Sequence, residues 1–133
     1  MAQSQQTLLV VDDDLDIRDA LQDVLEGAGY CVRCAADGQQ ALQTLREGCH
    51  PDLILLDLMM PRMNGFEFRE VQRHESGLCD IPVLLASADP SLPQAARSLG
   101  VAGFLRKPLD LDDLLGAVDR LCCGGRGPAL ASA

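Results

Sequence analysis

The sequence predicts a doubly wound α/β sheet of five parallel strands and five helices. Three observations carry that reading. Five short apolar runs alternate with five segments of helical apolar spacing. The run at 53–56 is apolar at every position, as in a strand buried on both faces. Parallel strands in turn require helical crossovers, which are right-handed.

Taken in order, 7–11 is a buried, β-branched strand that ends in Asp12, Asp13 and Asp14. Ile17, Ala20, Leu21, Val24, Leu25 and Ala28 recur at helical spacing, with Asp14 to cap the start and Gly27 or Gly29 to stop the helix. Residues 30–35 alternate, as an edge strand does. Asp37 opens a second helix with Ala41, Leu42 and Leu45 on one face and Gly48 at its end. The central strand 53–56 stops at Asp57, and a loop with Pro61 and Gly65 leads to a helix over about 66–75 with Phe68 and Val71 on its apolar face. A fourth strand at 81–86 runs to Ser87. The short helix after it holds Leu92, Ala95, Ala96 and Leu99, with Pro93 near its start. A fifth strand at 102–105 meets Arg106, Lys107 and Pro108, and Asp110 caps a last helix through Leu111, Leu114, Leu115, Val118, Leu121 and Cys122. The organisation is thus an N-terminal extension at 1–6, one domain at 7–123, and a tail or linker of flexible composition at 124–133.

Composition narrows the function. At 133 residues and 47% hydrophobic content the chain fits one domain with a real core. Its net charge of −9 opposes direct nucleic-acid binding. No apolar run approaches the roughly eighteen residues of a membrane span, and the opening MAQSQQ lacks a signal peptide's charged and apolar regions, so a cytoplasmic location is expected. The six cysteines should then be reduced thiols. Cys31 and Cys34 alternate on a strand and face opposite ways, and Cys122 and Cys123 sit at a helix end, so neither pair reads as a metal site.

Four strands end in chemically useful residues: Asp12 with Asp13, Asp57, Ser87, and Lys107 before Pro108. In an open α/β sheet these ends share one edge, where ligands bind. Asp57 alone would read as a turn residue. Three carboxylates together raise one another's pKa unless a cation joins them. Mg²⁺, which keeps several waters and takes one or two carboxylates with a phosphate oxygen, suits such a cage. The aspartates, a divalent ion and Lys107 balance to zero, so the site can receive an anion.

With these residues set out, the chain resembles the receiver domain of two-component response regulators. The likeness spans 7 to about 122 and rests on Asp12 and Asp13 after LLVV, LILLDLMMPRMNG around Asp57, ASA around Ser87 and FLRKP around Lys107. The resemblance implies a flavodoxin-like receiver fold with strand order 2-1-3-4-5, an order the pattern alone does not supply. It implies that Asp57 accepts a phosphoryl group from a histidine kinase or phosphotransfer protein. Asp13, Asp57 and the Met59 backbone carbonyl would bind Mg²⁺, or Mn²⁺ in its place, with Asp12 acting mainly through water. Ser87 and Lys107 would bind phosphoryl oxygens. Ser87 and Phe104 would form the switch, although Phe104 also reads as ordinary core, and Pro108 would follow a cis bond. Met59 and Asp89 would border the path of attacking water, with Asp89 reading equally as a solvated loop acid. The chain would catalyse its own phosphorylation and dephosphorylation, without being a turnover enzyme, and would signal to a downstream partner through 88–122.

Other classes fit less well. A phosphatase of the haloacid dehalogenase type wants an acid two residues after the nucleophile, where Met59 stands. Gly27 and Gly29 precede a strand instead of following one, so no dinucleotide site is implied, and no GxxxxGK[ST] occurs. His50 and His74 fall in a loop and on a polar helix face, which does not suit a phosphohistidine. A receiver-like docking module that needs no phosphorylation is the alternative, and it would predict a defective pocket. The chain has GFLRKP in place of the GADDYL pattern of dimerising receivers, so a monomer or weak homodimer is expected. A stand-alone receiver and the receiver of a longer protein both fit.

Overall fold

The computed structural model describes residues 6–123. Most of the expected extension and the whole tail at 124–133 lie outside the described residues. Ten elements alternate: β1 (Thr7–Val11), α1 (Leu15–Gly27), β2 (Cys31–Ala35), α2 (Gly38–Arg46), β3 (Leu53–Asp57), α3 (Gly65–Arg73), β4 (Val83–Ser87), α4 (Leu92–Leu99), β5 (Gly103–Arg106) and α5 (Leu111–Cys123). The strands form one sheet in the order β2-β1-β3-β4-β5, the order the resemblance implied. All pairs are parallel, with Val10 beside both Cys34 and Leu55, and Asp57 beside Ala86.

Alternation along the strands divides the core in two. Leu9, Val11, Ile54, Leu56 and Leu85 pack with α2, α3 and α4 on one face. Leu8, Val10, Leu53, Leu55 and Leu84 pack with α1 and α5 on the other. β3 is therefore buried at every position, and its last residue, Asp57, is carried into the interior with it. The chain turns at this edge are fixed by caps. The Asp14 carboxylate accepts from the Asp16 and Ile17 amides at the start of α1, while at the opposite edge Gly29 adopts φ 104° after the helix ends. Asn64 and Glu67 form a reciprocal capping box at the start of α3, which fixes where the loop from Asp57 enters that helix.

Several expectations shift. α3 starts at Gly65 and ends at Arg73, and its inner face holds Arg69 and Gln72 besides Phe68. The Arg69 guanidinium donates to the Leu99 and Gly100 carbonyls at the end of α4 and to Gln72 Oε1, while Gln72 donates to the Leu78 and Ile81 carbonyls. A buried cation is thus satisfied by the negative end of a neighbouring helix. Pro82 delays β4 to Val83, and β5 runs one residue later than its apolar stretch, to Arg106. Leu111 is 54% exposed, so the inner stripe of α5 begins at Leu114. Phe104 is 42% exposed and is not core, because β5 is an edge strand with an alternating pattern.

Candidate functional site

The carboxyl ends of β1, β3, β4 and β5 converge on one pocket. Asp12 extends β1 by donating its amide to the Ala35 carbonyl, which drives its side chain inward to 3% exposure. Its Oδ1 accepts the Asp14 amide at 2.9 Å and its Oδ2 accepts Lys107 Nζ at 2.8 Å. Its carbonyl accepts Arg18 Nη1 at 2.7 Å. Asp13 is exposed, Asp57 is buried, and a ligand oxygen from each of Asp12, Asp13 and Asp57 lies within 4.8 Å of the others.

Lys107 stands opposite these acids, at 3.6 Å from Asp57 Oδ1. Its amide donates to the Ser87 carbonyl, so β4 pairing sets where the lysine leaves the sheet. Burial works against its charge, but the Asp12 and Asp57 carboxylates outweigh burial and hold the ammonium above its ordinary pKa. Asp57 goes the other way. Burial first, and then the charges of Asp12 and Asp13, push its carboxyl up to about 6, despite the opposing pull of Lys107 and the Met59 N–H. An all-oxygen set with two buried carboxylates and a strained titration is the environment that a hard divalent cation relieves, so the residues fit Mg²⁺ or Mn²⁺.

The open side of the pocket is a cavity of about 420 Å³ lined by Asp57, Met59, Ser87, Ala88, Asp89 and Lys107. Ser87 is 2% exposed, and its Oγ accepts the Asp89 amide at 3.1 Å. The Asp89 carboxylate accepts both the amide and the hydroxyl of Ser91, which hold it below the usual carboxylate range and fold it back toward α4. Met59 is 61% exposed at the rim. The Lys107–Pro108 peptide bond is cis. An apolar groove of about 430 Å³ between α1 and the β5–α5 connection adjoins the pocket at Lys107. Phe104 stands apart from this lining, one strand position from Leu105 on the exposed side of β5. His50 and His74 are both exposed.

The sequence does not reveal three arginine anchors, of which Arg18 bears on the pocket through the Asp12 carbonyl. Arg18, Arg62 and Arg69 look like solvated helix or loop cations in the sequence, and only the fold brings backbone carbonyls or a buried carboxylate within their reach. Asn64, three residues before Glu67, did carry a readable signal.

A doubly wound domain with an acidic, lysine-facing pocket at the carboxyl edge of its sheet is of the receiver class. Residues 8–119 match the response regulator receiver domain family, and the chain belongs to it. It is 37% identical over 116 residues to the DNA-binding dual master transcriptional regulator RpaA of Synechocystis, with 86% of this chain and 48% of that protein aligned. The DNA-binding response regulator MtrA of Mycobacterium tuberculosis strain H37Rv is also 37% identical, over 86% of this chain and 49% of its own. The chain therefore spans about half the length of these curated relatives. Among solved structures, chemotaxis protein CheY4 of Vibrio cholerae superimposes with a TM-score of 0.81 at 34% identity, covering 88% of this chain and 98% of that one. A CheY-like receiver domain protein of Methanospirillum hungatei gives 0.84 at 26% identity, covering 95% and 100%. The chain is thus a response regulator receiver domain of two-component signalling. Among the described residues no helix is long and apolar enough to cross a membrane.

Proposed function

We propose that this receiver accepts a phosphoryl group on Asp57 from the phosphohistidine of a histidine kinase or phosphotransfer protein, and that the modification changes the surface formed by 88–122. The observation that carries this reading is the convergence of Asp57, Ser87 and Lys107 on one cavity backed by Asp12 and Asp13. A carboxylate oxygen of Asp57 attacks phosphorus, the new O–P bond forms as the donor's N–P bond breaks, and the imidazole leaves with the electron pair. Asp12, Asp13 and Asp57 with the Met59 carbonyl would hold Mg²⁺ or Mn²⁺, which when bound supplies charge compensation to the phosphoryl oxygens. Both oxygens of Asp12 already accept protein donors, which suits a role for it through water. Lys107 can turn its ammonium from Asp12 and Asp57 to the incoming oxygens, and the Ser87 hydroxyl lies on the same cavity. The apolar groove beside Lys107 offers surface that a protein donor would cover.

Intact mass after incubation with Mg²⁺ and acetyl phosphate tests this reading. Wild type should gain one phosphoryl group, and Lys107→Met should gain it roughly 10²-fold more slowly, the typical effect of removing one preorganised charge-stabilising donor. A wild type that binds Mg²⁺ yet never gains mass would favour the phosphorylation-independent docking module.

The switch follows from how α4 is held. Its C-terminus is pinned by Arg69, whereas the N-cap residue Ser91, just before Leu92, makes no side-chain cap and depends on the turn that Ser87 and Asp89 close. Drawing the Ser87 hydroxyl to the phosphoryl group releases that turn, and Phe104 on the adjacent strand turns inward. Amide exchange should therefore change on phosphorylation over 88–95 and stay constant over 97–101. Equal protection across 88–99 in both states would remove the switch from the account.

A further inference from the structure

Between Asp57 and α3 the chain makes a turn that the reaction as outlined does not use. Met63 donates its amide to the Pro61 carbonyl at 2.6 Å, closing a three-residue turn around Arg62, whose φ is 62°. A γ-turn of positive φ at a residue other than glycine is rare and strained, and persists only where its surroundings over-determine it. Here they do. Arg62 Nε donates to Asp37 Oδ2 at 2.6 Å, and Gly38 donates its amide to the Met63 carbonyl at 2.9 Å. Gly38 packs so closely that an added Cβ would stand 2.9 Å from the Met63 carbonyl oxygen.

The pair is asymmetric. The Arg62 side chain is 60% exposed, whereas that of Asp37 is 1% exposed and also accepts the Gln40 amide as the cap of α2. Burial raises the Asp37 carboxyl, but the Gln40 amide and Arg62 more than offset it, leaving the group ionised below its usual range. A half-solvated ion pair returns little stability, less than a strained turn costs. The arrangement therefore makes sense as positioning. The loop is fixed at its ends by the Gly65 amide on the Leu58 carbonyl and in its middle by this clamp, and Met59 lies between the two anchors.

We infer that Arg62 is a positioning residue: by clamping the 61–63 turn onto Asp37 and α2, it holds the Met59 carbonyl toward the acidic cluster and so sets the affinity for the divalent ion. The inference rests on the proposed metal role of that cluster. Calorimetric titration of Mg²⁺ into the metal-free chain tests it with Arg62→Met, Asp37→Asn, the double variant, and Arg46→Met, which removes an exposed ion pair to Glu75 elsewhere on α2. Asparagine retains the cap, so Asp37→Asn isolates the clamp. Arg62→Met and Asp37→Asn should each weaken Mg²⁺ binding about 10-fold, the lower end for a group that orients a ligand, with no further loss in the double variant. Arg46→Met should leave it unchanged, and Arg62→Lys should recover part of it. At saturating Mg²⁺, phosphorylation of Arg62→Met should return to near the wild-type rate. Wild-type affinity in Arg62→Met overturns the inference. Should wild type itself bind no Mg²⁺, the metal reading falls. The clamp is then judged by metal-free amide exchange, where unchanged protection at Gly38 in Arg62→Met overturns it as well.

Discussion

Gly65→Ala destabilises the domain and disables the site, although alanine is the better helix former at that position. Gly65 begins α3 and donates its amide to the Leu58 carbonyl. A Cβ there would meet the Asp57 carbonyl oxygen at 2.6 Å and Leu58 Cα at 2.9 Å, both backbone atoms of the strand end that carries the acceptor. Alanine's propensity gain, at most about 1 kcal/mol in a helix interior and smaller at the first helical position, is outweighed because two contacts with backbone atoms under 3.0 Å put the overpacking cost near the upper end of about 1–3 kcal/mol. A net loss of roughly 2 kcal/mol is expected, with phosphorylation slowed about 10²-fold because Asp57 itself is displaced. Gly116→Ala is the control. Gly116 lies on the exposed side of α5 with nothing within 4 Å of an added Cβ, so that change should stabilise by about 1 kcal/mol. Urea unfolding followed by circular dichroism measures both, the chain having no tryptophan. Equal stability in the two variants would show that the loop yields without cost.

Asp57→Asn should stabilise the metal-free protein at pH 7.5. Burial and the neighbouring aspartates push the Asp57 carboxyl up to about 6, against 3.8 for a free aspartate. The folded state therefore holds a proton that the unfolded state has released over that window. Stability linked to this group is complete below the lower value and is lost as pH rises through the upper one. At pH 7.5 the folded chain bears an ionised carboxylate at a cost of about 2–3 kcal/mol, which the neutral asparagine avoids. The advantage of Asp57→Asn should shrink toward zero near pH 4, and added Mg²⁺ should stabilise wild type more than the variant. A destabilised Asp57→Asn at pH 7.5 in chelator would mean that Lys107 compensates the acid fully without a metal.

These two residues also show what a sequence can reveal. The fold class was legible because strand burial and helix periodicity are local patterns: β3 reads as buried on both faces and is, and Asp14 and Asp37 cap the helices they precede. The acids, Ser87 and Lys107 were legible as neighbours because each stands at or just past the end of a strand, and strand ends in this fold share an edge. The supports were not, because they depend on distant partners. Arg69 and Gln72 look like a polar helix face until the topology sets the end of α4 against them. Phe104 and Leu111 look like core until β5 proves to be an edge strand and α5 turns its stripe to begin at Leu114. Nothing in PRM signals that the arginine adopts a positive φ, since that conformation is imposed by Asp37 and Gly38, more than twenty positions away. The same limit holds for Lys107. Its ammonium is closer to Asp12, at 2.8 Å, than to Asp57, at 3.6 Å, a preference set by side-chain reach across the pocket.

The most direct test of the central claim locates the phosphoryl group. After incubation with Mg²⁺ and acetyl phosphate, borohydride reduction converts an aspartyl phosphate to homoserine, which peptide mapping then places. Homoserine at position 57, absent when Mg²⁺ is replaced by chelator, is the predicted result. Homoserine at position 12 or 13, or none at any position in a protein that binds Mg²⁺, would contradict the account.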